Sequence, residues 1–164
     1  MILRKLTEAD KLELAEIANN KKIWDNVRDY FPYPYSLKDA ENFIQTVSNE
    51  DPQVTFAISY DNRLARVTGF ILRTDIHRKP AEIGYCLGEQ YWNKGIATKA
   101  VNLLVAYGFE ELGLIRIDTG VFEFNAASCK VLEKCGFVKE AVLKNAVIKN
   151  GMIGNEVRYC KLKI

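Results

Sequence analysis

The chain has a single histidine, His77, and only two tryptophans and four prolines in its 164 residues. One histidine excludes a His-built metal centre. The four cysteines (Cys86, Cys129, Cys135 and Cys160) form no C-x-x-C pair and no metal-ligand spacing, so no metal is expected. Charge of one sign is also lacking: 23 Lys and Arg face 21 Asp and Glu, a formal net charge of +2. That balance excludes nucleic acid as an expected direct partner. No apolar run reaches bilayer-spanning length, and residues 1–6 are too short and too charged for a signal peptide. No membrane contact is expected, and reduced cysteines in a cytoplasmic protein are. Repeats, linkers and low-complexity stretches are missing as well. The expectation is one domain over residues 1–164, in which 48% hydrophobic residues suffice for one core.

What is present alternates between strand and helix signals. Residues 2–6 read as a short strand, and Thr7 with Asp10 caps a helix whose stripe is Leu14, Ile17 and Ala18. Phe31-Pro32-Tyr33-Pro34-Tyr35 cannot be helical, because each proline excludes that conformation for the residue before it. Trp24, Tyr33 and Tyr35 in this aromatic stretch are candidates for an acceptor-binding wall. Ser36 and Asp39 restart a helix carrying Ala40, Phe43, Ile44 and Val47. Residues 54–60 alternate as a half-buried strand, with Thr55, Ala57 and Ser59 on the outer face. Asp61-Asn62 turns into a second strand over 63–72, a third covers 81–87, and a helix over 97–112 stops at Gly113. A strand around Ile115, Ile117, Thr119 and Val121 precedes a helix from Asn125 to Gly136, with Val131, Leu132 and Cys135 inward. A long hairpin around Asn150-Gly151 ends the chain. Its residues 139–164 are basic and read as a solvated strand face. The fold class is α+β: a mixed, mostly antiparallel twisted sheet flanked by helices.

Two segments carry chemistry. In the first, the strand Glu82-Ile83-Gly84-Tyr85-Cys86-Leu87 leads through Tyr91 into Trp92, Asn93, Lys94, Gly95, Ile96, Ala97 and Thr98, where a helix begins. A loop of this kind offers unpaired backbone N–H groups and the positive end of a helix dipole to an anion. Gly95 lets the backbone come close, and Asn93 tolerates the left-handed conformation of a tight loop. A pyrophosphate is the natural guest, although no G-x-x-x-x-G-K-[ST] loop is present. In the second, Asn125-Ala126-Ala127-Ser128 opens a helix that runs on as Val131-Leu132-Glu133-Lys134-Cys135-Gly136-Phe137.

Together these segments resemble the GNAT N-acetyltransferase superfamily, and within it the RimJ/RimL-like ribosomal-protein branch. The patterns there are EIGYxL…YWGKGxAT and, about thirty residues on, NxxSxxVLEKxGF. The resemblance implies the GNAT fold, acetyl-CoA as co-substrate and an amine acceptor, with a ribosomal-protein N-terminus as the branch's acceptor. It implies that the backbone of residues 92–98 holds the CoA pyrophosphate, with Lys94 and Lys99 near its phosphates. Ile83, Tyr85, Cys86 and Leu87 would lie along the pantetheine arm, Asn125 would contact it, and Ser128 would sit near the sulfur. Asn93 replaces the family's usual glycine. Leu132 stands where many members carry a tyrosine acid, which passes that role to Ser128. The oligomeric state is open between monomer and homodimer.

The superfamily pattern implies direct attack in a ternary complex. An α-amino group, with a pKa of roughly 7.7–8.0, loses its proton near neutral pH for about 1–1.4 kcal/mol, whereas a lysine at roughly 10.4 needs nearer 4–5. A weak base acting through water is then enough, and Glu82 is the candidate. A backbone N–H of residues 85–87 would polarise the thioester carbonyl. His77 reads as a solvated loop residue, and Cys86 and Cys129 as packing residues rather than acyl carriers. An N-terminal α-amine is the expected acceptor. The alternatives are a small-molecule amine, such as a polyamine or antibiotic, and a non-catalytic acyl-CoA-binding sensor.

Overall fold

Two tight turns show how local sequence sets this fold. Asp61 and Asn62 hold φ at 50° and 61°, and Asn150 and Gly151 hold 52° and 73°. Those are the left-handed values of a two-residue hairpin, and Asn, Asp and Gly adopt them at least cost. The first turn joins β2 (Thr55–Tyr60) to β3 (Arg63–Leu72), and the second joins β6 (Val138–Lys149) to β7 (Met152–Leu162). The computed structural model describes all residues, 1–164. It adds β1 (Ile2–Arg4), β4 (Pro80–Leu87) and β5 (Arg116–Phe122), with helices α1 (Lys11–Ala18), α2 (Lys21–Trp24), α3 (Leu37–Ser48), α4 (Ile96–Glu110) and α5 (Ala126–Lys134). The seven strands follow the order β1-β2-β3-β4-β5-β7-β6. β4 and β5 run parallel, whereas β1–β2, β2–β3, β5–β7 and β6–β7 are antiparallel. The expected mixed, mostly antiparallel sheet is what forms. No helix is long and apolar enough to cross a membrane.

The chain divides into two compact units. The first comprises Met1–Gly69 and Tyr85–Ala100. Thr7 and Asp10 do form a capping box, but it opens a short 3-10 turn, Glu8–Asp10, and α1 follows. Arg4 pins the Asp10 carboxylate through two hydrogen bonds of 2.8 and 2.6 Å. Ser36 and Asp39 cap α3 reciprocally, as the sequence predicts. Asn20 caps α2, accepting from the Lys22 N–H at 2.9 Å, so the stretch read as irregular from Trp24 begins with the last residue of a helical turn. Leu14 and Ala18 from α1 meet Ala40, Ile44 and Val47 from α3, together with Leu6, Tyr35, Ala57 and Leu64. A second cluster joins Ile58, Ala65, Leu87, Ile96 and Ala100. Burying a Leu- or Ile-sized side chain contributes about 1.5–3 kcal/mol, so these clusters anchor the unit.

The two clusters overturn one expectation. β2 is covered on both faces: Ala57 belongs to the first cluster and Ile58 to the second, both 0% exposed, and Ser59 is buried as well. Successive strand side chains point to opposite faces, and small residues at 57 and 59 leave room for helices. Size at those positions, rather than polarity, was the signal.

The second unit comprises Phe70–Gly84 and Val101–Ile164. Gly113 (φ 61°) breaks the chain just after α4, and Gly136 (φ 78°) just after α5. Leu132, Cys135 and Phe137 are buried, and Val131, expected inward with them, is only half-buried. β5 pairs with β7 along its whole length, and β6 completes the hairpin with two register shifts.

Candidate active site

In the first unit β4 ends at Leu87, and a 3-10 turn, Glu89–Tyr91, leads to the loop before α4. Trp92, Asn93, Lys94 and Gly95 are exposed, whereas Ile96 and Ala100 are sunk in the core. The helix start is thus fixed from below while the loop faces outward. The Trp92 indole N–H donates to Leu87 O at 3.0 Å, and Asn93 and Gly95 take φ of 59° and 73°. The helical ladder opens with Lys99 N–H onto Gly95 O at 3.1 Å. The N–H groups of Ile96 and Ala97 therefore precede the first helical acceptor and point toward the helix's positive end. A Cβ built on Gly95 would meet nothing within 4 Å. Open space before unpaired donors is what a pyrophosphate requires, so the residues present fit CoA. Ala97 and Thr98 are half-buried in the first turn of α4, and the side chains of Lys94 and Lys99 are exposed.

Of the β4 residues, Ile83 is buried, Tyr85 and Cys86 are half-buried, and Leu87 is buried in the second core cluster. Burial pushes the Cys86 thiol up, against the lowering effect of the Arg66 charge. A thiol kept protonated is a poor nucleophile, in keeping with a packing role.

The aromatic candidates also lie in this unit. The Trp24 indole donates to Phe31 O at 3.1 Å and its ring lies 5.8 Å from that of Tyr33, which is 42% exposed. Tyr35 is only 6% exposed and stacks on Phe31, with ring centroids 4.9 Å apart. Trp24 and Tyr33 form an accessible pair, whereas Tyr35 is a core residue rather than an open wall.

In the second unit Asn125 caps α5. Its Oδ1 accepts from the Ser128 N–H at 3.1 Å, which leaves Nδ2 without a protein acceptor. The capping bond fixes the Asn125 side chain at the helix start, and Ser128 is half-buried in the first turn. Glu82 pairs across β4–β5 with Asp118. Both carboxylates face Arg73, which binds Asp118 bidentately at 2.7 and 2.8 Å and stands 3.9 Å from Glu82. Arg158 adds a bond to Asp118 at 3.0 Å, and Arg116 approaches it at 3.4 Å. Burial pushes the Asp118 carboxyl up, but the Arg73 hydrogen bonds and the charges of Arg73, Arg158 and Arg116 outweigh it and hold it below the usual range. Sequence reasoning missed this cluster. Its one visible signal was an aspartate in the middle of a strand, where aspartate is disfavoured.

A mixed sheet with a strand–loop–helix cradle for a pyrophosphate is a scaffold suited to a nucleotide-bearing co-substrate. The chain belongs to the acetyltransferase (GNAT) domain family, which it matches over residues 1–138. It is 34% identical over 158 residues to an uncharacterized N-acetyltransferase, YoaA, of Bacillus subtilis (strain 168), covering 88% of this chain and 82% of the relative. A spermidine N-acetyltransferase from Vibrio cholerae, solved with CoA and spermine, superposes with a TM-score of 0.83 at 25% identity, covering 98% of this chain and 94% of its own. RimL, a ribosomal L7/L12 α-N-protein acetyltransferase solved with CoA, reaches 0.86 at 22% identity, over 98% and 92%. At that identity the likeness carries the fold alone. The protein is an N-acetyltransferase that uses acetyl-CoA.

Proposed function

We propose that the acceptor is a protein N-terminal α-amine, of the ribosomal-protein kind. The observation that carries this reading is the charge of the segment bearing Trp24 and Tyr33. Between residues 24 and 35 its carboxylates are Asp25 and Asp29, and Lys21 already pairs with Asp25 at 2.6 Å. A polyamine site needs several carboxylates for its ammonium groups, whereas a peptide backbone needs an aromatic wall and hydrogen bonds. The same reading treats residues 1–164 as one catalytic domain in the cytoplasm.

In this reading the backbone of residues 92–98 holds the pyrophosphate, and Asn125 Nδ2 donates to the pantetheine arm. The neutral amine attacks the thioester carbonyl, whose developing oxyanion is met by a backbone N–H of residues 85–87. Glu82 takes the amine proton through a water, the C–S bond breaks, and the thiolate is protonated through the Ser128 hydroxyl, which takes a proton from solvent in the same step. A second reading, a polyamine acceptor, is favoured by the resemblance to spermidine acetyltransferases. Thiol release measured with peptide and polyamine pools separates the two. Peptides with free N-termini are expected to react faster than spermidine at equal concentration. Turnover of spermidine with none of a diverse peptide library overturns the assignment.

A further inference from the structure

Arg66 is an arginine at a position where a folded chain rarely tolerates one. It lies inside β3 and is 1% exposed. Its φ is +142°, beside a register shift that sets Ile58 opposite Arg66 and Ser59 opposite Leu64. A non-glycine residue at such a φ carries backbone strain, which persists only where the surroundings impose it. The guanidinium has no carboxylate partner. Nη1 donates to Cys86 Sγ at 2.9 Å, and Cζ lies over the Phe31 ring, 4.6 Å from its centroid. Nε is buried with no acceptor at all. A buried cation is costly unless paired, and neither a neutral thiol nor an aromatic ring supplies an anion. Tyr35 stands in the field of the same guanidinium, and its hydroxyl makes no protein hydrogen bond. Donors are gathered here without an acceptor to receive them.

We propose that Arg66 receives an oxyanion carried by the acceptor, so that the preferred acceptor is an amine whose own chain bears a carboxylate or phosphate close by. The inference rests on the N-terminal α-amine reading and narrows it to N-termini with an acidic group among the first residues. The guanidinium fork suits either oxyanion, binding two oxygens at once. Phe31, a partly buried ring, packs against the guanidinium and leaves recognition of the oxyanion to the N–H groups at its edge. A polycation gains nothing at such a site.

The test uses the full chain with acetyl-CoA, reading thiol release on matched peptides. One series exchanges Asp for Asn within the first three residues, and another exchanges phosphoserine for serine. The wild type is expected to favour the charged member of a pair at least tenfold in kcat/KM, and the series that shows the preference identifies the oxyanion. Arg66→Met should bring that ratio to about one, while Arg66→Lys, which keeps charge without the fork, should leave it intermediate. Equal use of both members by the wild type overturns the proposal. So does an Arg66→Met variant that melts lower yet keeps the full ratio, since Arg66 is then an internal strut. If Arg66→Met fails to fold, the wild-type ratio and the Lys variant decide. Absence of thiol release from every peptide removes the N-terminal reading instead. Binding of the Asp and Asn peptides, measured calorimetrically with CoA present, then judges Arg66 independently: tighter Asp binding sustains the oxyanion site and equal binding removes it.

Discussion

Gly95 combines a left-handed φ of 73° with open space where a Cβ would stand. An added side chain meets no protein atom, so its effects are backbone strain of about 1–2 kcal/mol and occlusion of the space before the α4 donors. Gly95→Val is expected to weaken CoA binding at least tenfold while the chain still folds. Unchanged affinity by calorimetry would place the phosphate site elsewhere. Asn93, in the family's usual glycine position, adopts a φ of 59°, a left-handed value that asparagine tolerates. Glu82 calls for a different measurement, because its carboxylate also faces Arg73. As a base it matters most where the amine is protonated. Glu82→Gln should therefore lower turnover most at low pH and little near pH 9. A profile that drops by one factor at every pH would assign Glu82 to the ion-pair cluster alone.

Among the elements, β5 carries the heaviest electrostatic demand. Asp118 accepts from Arg73 and Arg158 with its side chain 5% exposed, and its carboxyl is held below the usual range. A carboxyl lowered on folding stabilises above its unfolded pKa, near 3.9, and loses that contribution as pH falls through the lower folded value. Asp118→Asn removes the carboxylate shared by the half-buried Arg73 and Arg158, which keep Glu82 and Glu156, and is expected to cost about 1–3 kcal/mol near pH 7. Urea denaturation should show the wild type weakening below about pH 4 and the variant weakening less there. Equal slopes would mean that the cluster contributes nothing to folding. Asp10, Asp39, Glu89 and Glu140, each also held below the usual carboxylate range, supply the residual slope. The Asp118 cluster also shows where a one-dimensional reading ends. Capping boxes and hairpin turns are legible because their partners stand within a few residues, as in Ser36 with Asp39 or Asn150 with Gly151. Arg73 and Asp118 are 45 residues apart, and only the parallel β4–β5 pairing shows that Glu82 shares their guanidinium.

For the whole molecule, two motifs far apart in sequence were enough to reach the family, because CoA recognition uses backbone geometry that short patterns encode. The acceptor side was less legible. Tyr35 read as a wall and is a core residue, and Arg66 drew no notice because a strand arginine ordinarily faces water. Binding of acetyl-CoA can therefore be tested apart from acceptor choice. A ligand that binds only the folded chain stabilises it by about 2.7 kcal/mol at one hundred times its Kd. For a chain of this length each kcal/mol raises Tm by about 2–4 °C, so a rise of about 5–10 °C is expected with acetyl-CoA. Gly95→Val should forfeit most of that rise at the same concentration, whereas Arg66→Met should keep it, since Arg66 is assigned to the acceptor. A wild type that melts at one temperature with and without acetyl-CoA would contradict the cradle assigned to residues 92–98. A full rise without thiol release from any amine would instead mark a sensor that binds acyl-CoA and transfers nothing.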